Sequence, residues 1–300
     1  MGFGMGLKRK LRKLNLPRRG LNFLHHHLAM QHNILRCKQE LWLQSILNTP
    51  KYQDTKRLER FGYKVYSQND EDGILAEIFR RIGAKNRFFI EFGVQDGLEC
   101  NSHFLLLQGW SGVFIEGSAE YCKEIRKNFQ TPLAQGRLTL LNEFITAENI
   151  NDLFARTGAV RIGDIDLLSI DIDGNDYHIF KAVKAISPRV IVVEMNAKFP
   201  PPMEWVMLYN PSHMWNGTDK HGASLESLTK LGKDKGYRLV ATGINGVNAF
   251  FVREDLCGDR FPKDCSAANL YNAHPITIFA RGHRNVKYLE NACLQENLQG

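Results

Sequence analysis

Several patterns are missing from this 300-residue chain, and each absence removes a class of protein. No run of about 18 apolar residues occurs, so no membrane span is expected. The six cysteines, Cys37, Cys100, Cys122, Cys257, Cys265 and Cys293, form neither a C-x-x-C pair nor a zinc-type spacing. That excludes a disulfide framework and a zinc knuckle, and it suits a reducing, cytoplasmic setting. The apolar stretch Leu21 to Met30 is interrupted by His25, His26 and His27, which is poor for a signal peptide. Without a secretory signal, the glycosylation pattern Asn216-Gly217-Thr218 reads as chance. After the first long apolar run, Gln95 stands where a G-x-G-x-x-G turn would carry its middle glycine, which argues against a nicotinamide dinucleotide.

The positive charge is local. Lys8, Arg9, Lys10, Arg12, Lys13, Arg18, Arg19, Arg36 and Lys38 all precede Leu41, and the rest of the chain is close to neutral although the whole carries +7. Such an arm suits an anionic surface such as phosphate, acidic lipid or polyanionic glycan. Leu7, Leu11, Leu14, Leu16, Leu21, Leu24 and Leu28 recur at roughly helical spacing between the basic residues, with Pro17 and Gly20 expected to split any helix. The arm is expected either to touch the inner membrane face peripherally or to serve as a solvated tether. Three regions result: a basic arm over 1–50, a body over 51–255 and a C-terminal extension over 256–300.

The 43% hydrophobic content supplies a substantial core, and the body alternates short apolar runs with amphipathic stretches. Buried parallel strands are expected over Arg87 to Gly93, Gly112 to Gly117, Leu138 to Phe144, Ile165 to Ile172 and Arg189 to Met195. Crossover helices fit Cys100 to Gly109, Ala119 to Phe129, Glu148 to Thr157 and Asp176 to Ala185. Ala223 to Gly236 reads as a helix, and Tyr237 to Thr242 with Val247 to Arg253 as an antiparallel hairpin across Gly243-Ile244-Asn245-Gly246. The expected fold is α/β: a mostly parallel, seven-stranded Rossmann-like sheet ending in an antiparallel hairpin, with helices on both faces.

Polar residues gather at the strand exits: Glu91, Glu116, Asn142 with Glu143, Asp171 with Asp173, and Glu194 with Asn196. Open parallel sheets bind ligands along that edge, and a core strand does not need an uncompensated carboxylate. Gly93 and Gly97 permit close approach of the backbone where the first strand turns, and Glu116 stands where an acid accepts from both ribose hydroxyls.

Three segments carry a resemblance: Tyr66-Ser67-Gln68-Asn69-Asp70-Glu71-Asp72-Gly73, then Glu91-Phe92-Gly93, then Leu168-Ser169-Ile170-Asp171-Ile172-Asp173-Gly174-Asn175-Asp176. Together they resemble the FkbM-like family of class I methyltransferases, over about Tyr66 to Arg253. The resemblance implies an S-adenosylmethionine-dependent O-methyltransferase acting on a hydroxyl, often of a sugar or glycan. It places Gln68 in a segment closing over the donor, Glu91, Gly93 and Gly97 in the methionine cradle, Glu116 on the ribose, and Asn142 and Glu143 beside the adenine. Asp171 would face the sulfonium methyl. Glu91 replaces the family's usual aspartate, and Gln95 its middle glycine.

Asp171 and Asp173, two apart on an extended chain, are expected to face one side and to orient the acceptor or take its proton. With Glu194 and Asn196 they offer the oxygen-rich site that Mg2+ or another divalent cation prefers. His213 and His221, in the loop after the fifth strand, are further candidate bases. Trp205, Tyr209 and Trp215 in the same loop form either a sugar-stacking wall or a packed lid. Two rivals remain open: a metal-dependent glycosyltransferase using Asp171-Ile172-Asp173 as a D-x-D, and a non-catalytic binder of anionic polymer, which the acidic exits would repel. No nucleic-acid partner is expected.

Overall fold

The computed structural model describes residues 18–215, 217–218 and 220–273. The leucines and basic residues before Arg18, as well as Asn216, Cys293 and the extension beyond 273, lie outside the described residues. The chain divides into two units, one ending at Gln53 and one beginning at Asp54.

The first unit is a 30-residue helix, α1 (Arg18–Leu47), followed by a 3-10 turn at Pro50–Tyr52. The expected break at Gly20 does not occur. A single interior glycine costs about 1 kcal/mol relative to alanine, which a long helix absorbs, and Pro17 precedes the first helical residue. Among the described residues no helix is long and apolar enough to cross a membrane.

The second unit is built on one seven-stranded sheet: β1 (Phe88–Phe92), β2 (Ser111–Glu116), β3 (Leu138–Asn142), β4 (Leu167–Ile170), β5 (Val190–Glu194), β6 (Tyr237–Thr242) and β7 (Asn248–Arg253). The order is β3-β2-β1-β4-β5-β7-β6. The first five strands run parallel, and β7 pairs antiparallel with both β5 and β6. This is the Rossmann-like sheet expected from the sequence. Its helices include α2 (Glu71–Ile82), α3 (His103–Leu107), α4 (Ala119–Asn128), α5 (Ile150–Arg156), α6 (Asp176–Ala182) and α7 (Leu225–Asp234).

Strand alternation splits the core into two clusters. Ile90, Phe92, Val113, Ile115, Leu168 and Ile170 belong to one, and Phe89, Phe114, Leu167 and Val192 to the other. Burial on both faces is why the parallel strands read as continuous apolar runs. It also means that a polar residue within such a strand must find partners inside the protein.

Helix α2 was not anticipated, yet its signals are ordinary. Asp70, Glu71 and Asp72 open it, Arg80 and Arg81 close it, and Ile74, Leu75, Ile78 and Phe79 join the Phe89 cluster. Past β7, the single turns Glu254–Cys257 and Ala267–Leu270 pack on the sheet. Thr242 Oγ1 donates to the Leu270 carbonyl at 2.7 Å, and Arg57 to the Asn269 carbonyl at 3.2 Å. Residues 256–273 are thus part of the second unit.

Candidate active site

The strand order reverses between β1 and β4, and there the two exits nearly touch. A Cβ on Gly93 would fall 1.8 Å from the Asp171 carbonyl oxygen, and Gly93 has φ +65°. No side chain fits at that crossing. Two residues on, Gln95 holds φ +51°, the left-handed conformation that a glycine adopts easily. Its N–H donates to Glu116 Oε2 at 2.9 Å, while Ser118 N–H donates to Oε1 at 2.8 Å. Glu116 therefore ties the β1 turn to the β2 turn, which offsets the strain at Gln95. Burial pushes the Glu116 carboxyl above its ordinary pKa.

Gly97 has a packing reason to be glycine. Its φ is +78°, and a Cβ there would meet the Phe129 ring at 2.6 Å, so the packing of Phe129 by itself requires this glycine. Glu91 Oε1 accepts from Asn101 N–H at 2.8 Å and Oε2 from Ser102 N–H at 2.9 Å, and the residue is 3% exposed. It holds the loop into α3 through both oxygens and exposes almost none of itself. Burial raises its pKa.

Asn142 spends its amide on the Glu116 and Gly117 carbonyls, at 2.8 and 3.2 Å, so it braces the β2 exit. Glu143 pairs with Arg156 at 2.6 Å on the surface. The Gln68 side chain is exposed, and its carbonyl accepts from Lys64 Nζ at 2.9 Å. Its segment is anchored by Asp72, whose Oδ2 receives the N–H groups of Val65, Tyr66 and Ser67 at 2.7 to 2.9 Å. The Tyr66 ring lies 4.0 Å from that of His103, which seats the segment against the loop leaving β1. Asp72 was unforeseen as an anchor, and its position in the first turn of α2 is the signal that identifies it.

At the β4 and β5 exits, Asp171, Asp176 and Glu194 each present an oxygen within 4.8 Å of the other two. Asp176 caps its own turn, with Oδ1 accepting from Ile172 N–H at 2.9 Å and Oδ2 from Gly174 N–H at 2.8 Å. Among the described residues none donates a hydrogen bond to Asp171. Glu194 Oε2 is buried without a hydrogen bond and lies 3.8 Å from His221 Nδ1. Burial, followed by the charges of Glu194, Asp176 and Asp173, drives the Asp171 pKa well up. Glu194 is raised in the same sense, first by burial and then by Asp176 and Asp173, and burial lifts Asp176 to about 6.

The metal-ligand set expected from sequence is altered. The chain leaves β4 at Ile170 and turns left-handed at Asp173, with φ +56°, so the alternation that would align Asp173 with Asp171 has ended. Asp176, one helical turn on, takes that place. Asn196 is committed to backbone: its amide donates to the His221 carbonyl at 3.0 Å, and its oxygen accepts from Lys198 N–H at 3.2 Å.

His213 lies against Gly174, with Nε2 3.2 Å from the Asp173 carbonyl. A carbonyl only accepts, so Nε2 carries the proton and Nδ1 is left as an acceptor. Burial lowers the His213 pKa, which keeps the ring neutral near pH 7. The three aromatics separate. Trp205 is 1% exposed and stacks on Phe199 at 4.3 Å, Tyr209 donates to Glu148 Oε2 at 2.5 Å, and Trp215 is 51% exposed. Trp205 is thus packed in a small cluster with Phe199 and Met207.

Residues 143–239 match the model of the methyltransferase FkbM domain, a stretch that contains Asp171, Asp176, Glu194, His213 and His221. The chain is similar to the solved N-terminal domain of EvdMO1 with SAH bound: 13% identity, 64% of this chain, 88% of that chain and TM-score 0.39. It is also similar to an S-adenosylmethionine-dependent methyltransferase from Clostridium acetobutylicum ATCC 824, at 12% identity, 72% and 98% coverage and TM-score 0.36. Glycopeptide N-methyltransferase MtfA shares 14% identity, with 60% and 94% coverage and TM-score 0.35. No curated protein matches the chain. The matched stretch includes Asp171-Ile172-Asp173.

Proposed function

We propose that this S-adenosylmethionine-dependent methyltransferase, whose residues 143–239 match the FkbM domain, methylates a hydroxyl, on a sugar or glycan, at the exits of β4 and β5. The observation that carries the reading is the pair of carboxylates, Asp171 and Glu194, crowded together without a hydrogen-bond donor among the described residues, beside a crossing that only glycine can form.

The turn from Gly93 to Gly97 and the acid at Glu116 suit an adenosyl donor. Each Glu116 oxygen accepts one backbone N–H, which leaves a further lone pair apiece for the two ribose hydroxyls. When bound, S-adenosylmethionine supplies an electrophilic methyl group on a sulfonium sulfur. The chain's residues do the rest. Asp171 would accept the hydrogen bond of the acceptor hydroxyl, aim its oxygen at the donor methyl and take the hydroxyl proton as the methyl passes from sulfur to oxygen. His213 Nδ1 offers a second acceptor across the Asp173 turn, and His221 Nδ1 stands 3.8 Å from Glu194 Oε2. Alignment of two held reactants supplies ~7–11 kcal/mol in favourable cases, and one base a smaller share.

A second reading adds Mg2+ or another divalent cation, favoured by the three oxygens of Asp171, Asp176 and Glu194 within 4.8 Å. Full activity after thorough chelation, with no gain from added Mg2+, removes it.

The principal test is calorimetry with S-adenosylmethionine, S-adenosylhomocysteine and sugar nucleotides, followed by methyl transfer to glycans. Adenosyl binding and a methyl ether product are expected. Methylation of amines in place of hydroxyls would refute the oxygen assignment.

A further inference from the structure

Helix α1 carries an exposed stripe with no evident role in the chemistry. Met30, Ile34 and Leu41 are 47%, 48% and 66% exposed, and Cys37 is an exposed free thiol. Their spacing of four, three and four residues places all four on one side of a helix. Between them Gln31, Asn33, Lys38, Gln39 and Glu40 are polar and exposed, and Leu35, 54% exposed, is an apolar residue off the stripe. In the sequence up to Leu41, nine basic residues face a single acid, Glu40.

These two features select the occupant. A second copy packing on the stripe would bring two strongly positive segments together, which like-charge repulsion opposes. A free polyanion would satisfy the charge but leave the apolar stripe in water. An anionic bilayer surface answers both, with lipid headgroups for the basic residues and the acyl boundary for Met30, Ile34, Cys37 and Leu41. The helix cannot span, because none of its windows is apolar enough. At 1.5 Å per residue, its 30 residues extend over about 45 Å.

We propose that α1 is an in-plane membrane anchor that docks the chain on anionic lipid through the Met30–Leu41 stripe. Its test uses the full chain, sedimented with vesicles of phosphatidylcholine alone and of phosphatidylcholine mixed with phosphatidylglycerol. Binding to the anionic vesicles alone is expected, released by high salt and reduced about tenfold or more in the double variant Ile34→Asp, Leu41→Asp. The milder Ile34→Gln, Leu41→Gln pair should give an intermediate loss, and unchanged binding of S-adenosylhomocysteine verifies that both variants fold. Failure to sediment, equal binding to neutral vesicles, or undiminished binding of the variants each overturns the proposal. So does a dimer in solution that the same substitutions dissolve, since the stripe would then be a seam between copies. None of these outcomes touches the methyl-transfer reading, which rests on the second unit.

Discussion

The exits of β1 and β2 and those of β4 and β5 carry the same chemical group in opposite conditions. Glu91 and Glu116 accept hydrogen bonds on both oxygens, from Asn101, Ser102, Gln95 and Ser118. Asp171 and Glu194 sit within 4.8 Å of each other and of Asp176 and receive no hydrogen bond among the described residues. A buried carboxylate supplied with donors shapes loops, whereas one denied them keeps its lone pairs for something that arrives. The first pair fixes the loops that leave β1 and β2, and the second is the pair to which the proposed function gives the chemistry. Gly93 joins the two, since its Cα hydrogen faces the Asp171 carbonyl.

Breaking that joint should have the largest effect. Gly93→Ala must displace a carbonyl 1.8 Å away at a positive φ, so a loss of about 3 kcal/mol or more is expected, read as failure to fold or a collapse of Tm. Next comes Asp171→Asn, which should reduce kcat by ~10^2–10^4 while calorimetric donor affinity stays unchanged. A parallel loss of affinity would move Asp171 into the donor site. Glu116→Ala should weaken donor binding by ~10–100-fold with the fold retained, the size of one or two hydrogen bonds to a charged group. Equal affinity would remove the ribose assignment.

The smallest effect has the most telling sign. Carboxyls whose folded pKa lies above the unfolded value contribute stability that is complete below the unfolded pKa and disappears as pH rises through the folded one. For Asp176 that window runs from 3.8 to about 6, and Asp171 and Glu194 extend it upward. Donor-free protein should therefore lose stability as pH rises from about 4 to 7. Glu194→Gln should flatten that fall and gain about 1 kcal/mol at pH 7 in urea titration, whereas Glu91→Gln should lose ~1–3 kcal/mol. A loss in both would erase the contrast between the two pairs.

The sheet was legible because parallel strands buried on both faces leave uninterrupted apolar runs, and because Gly243 to Gly246 admits only an antiparallel pair. The strand exits were legible for a related reason, since a carboxylate ending such a run stands out against the cost of burying it. Helix α2 could have been read from Ile74, Leu75, Ile78 and Phe79, and was hidden by the polar motif at its start. The exchange of Asp173 for Asp176 could not, because it depends on where the strand stops and turns left-handed. Nor does spacing reveal that Phe129 fills the space beside Gly97, or that Trp205 lies under Phe199.

By itself the amino-acid order determined the layers, the sheet and which edge carries the acids, since these follow from periodicity and from the cost of burying charge. Only the tertiary structure decided which acids are satisfied. That depends on N–H groups from Gln95, Asn101, Ser102 and Ser118, whose direction is set by loops folding back across the strand ends, and no local pattern encodes it.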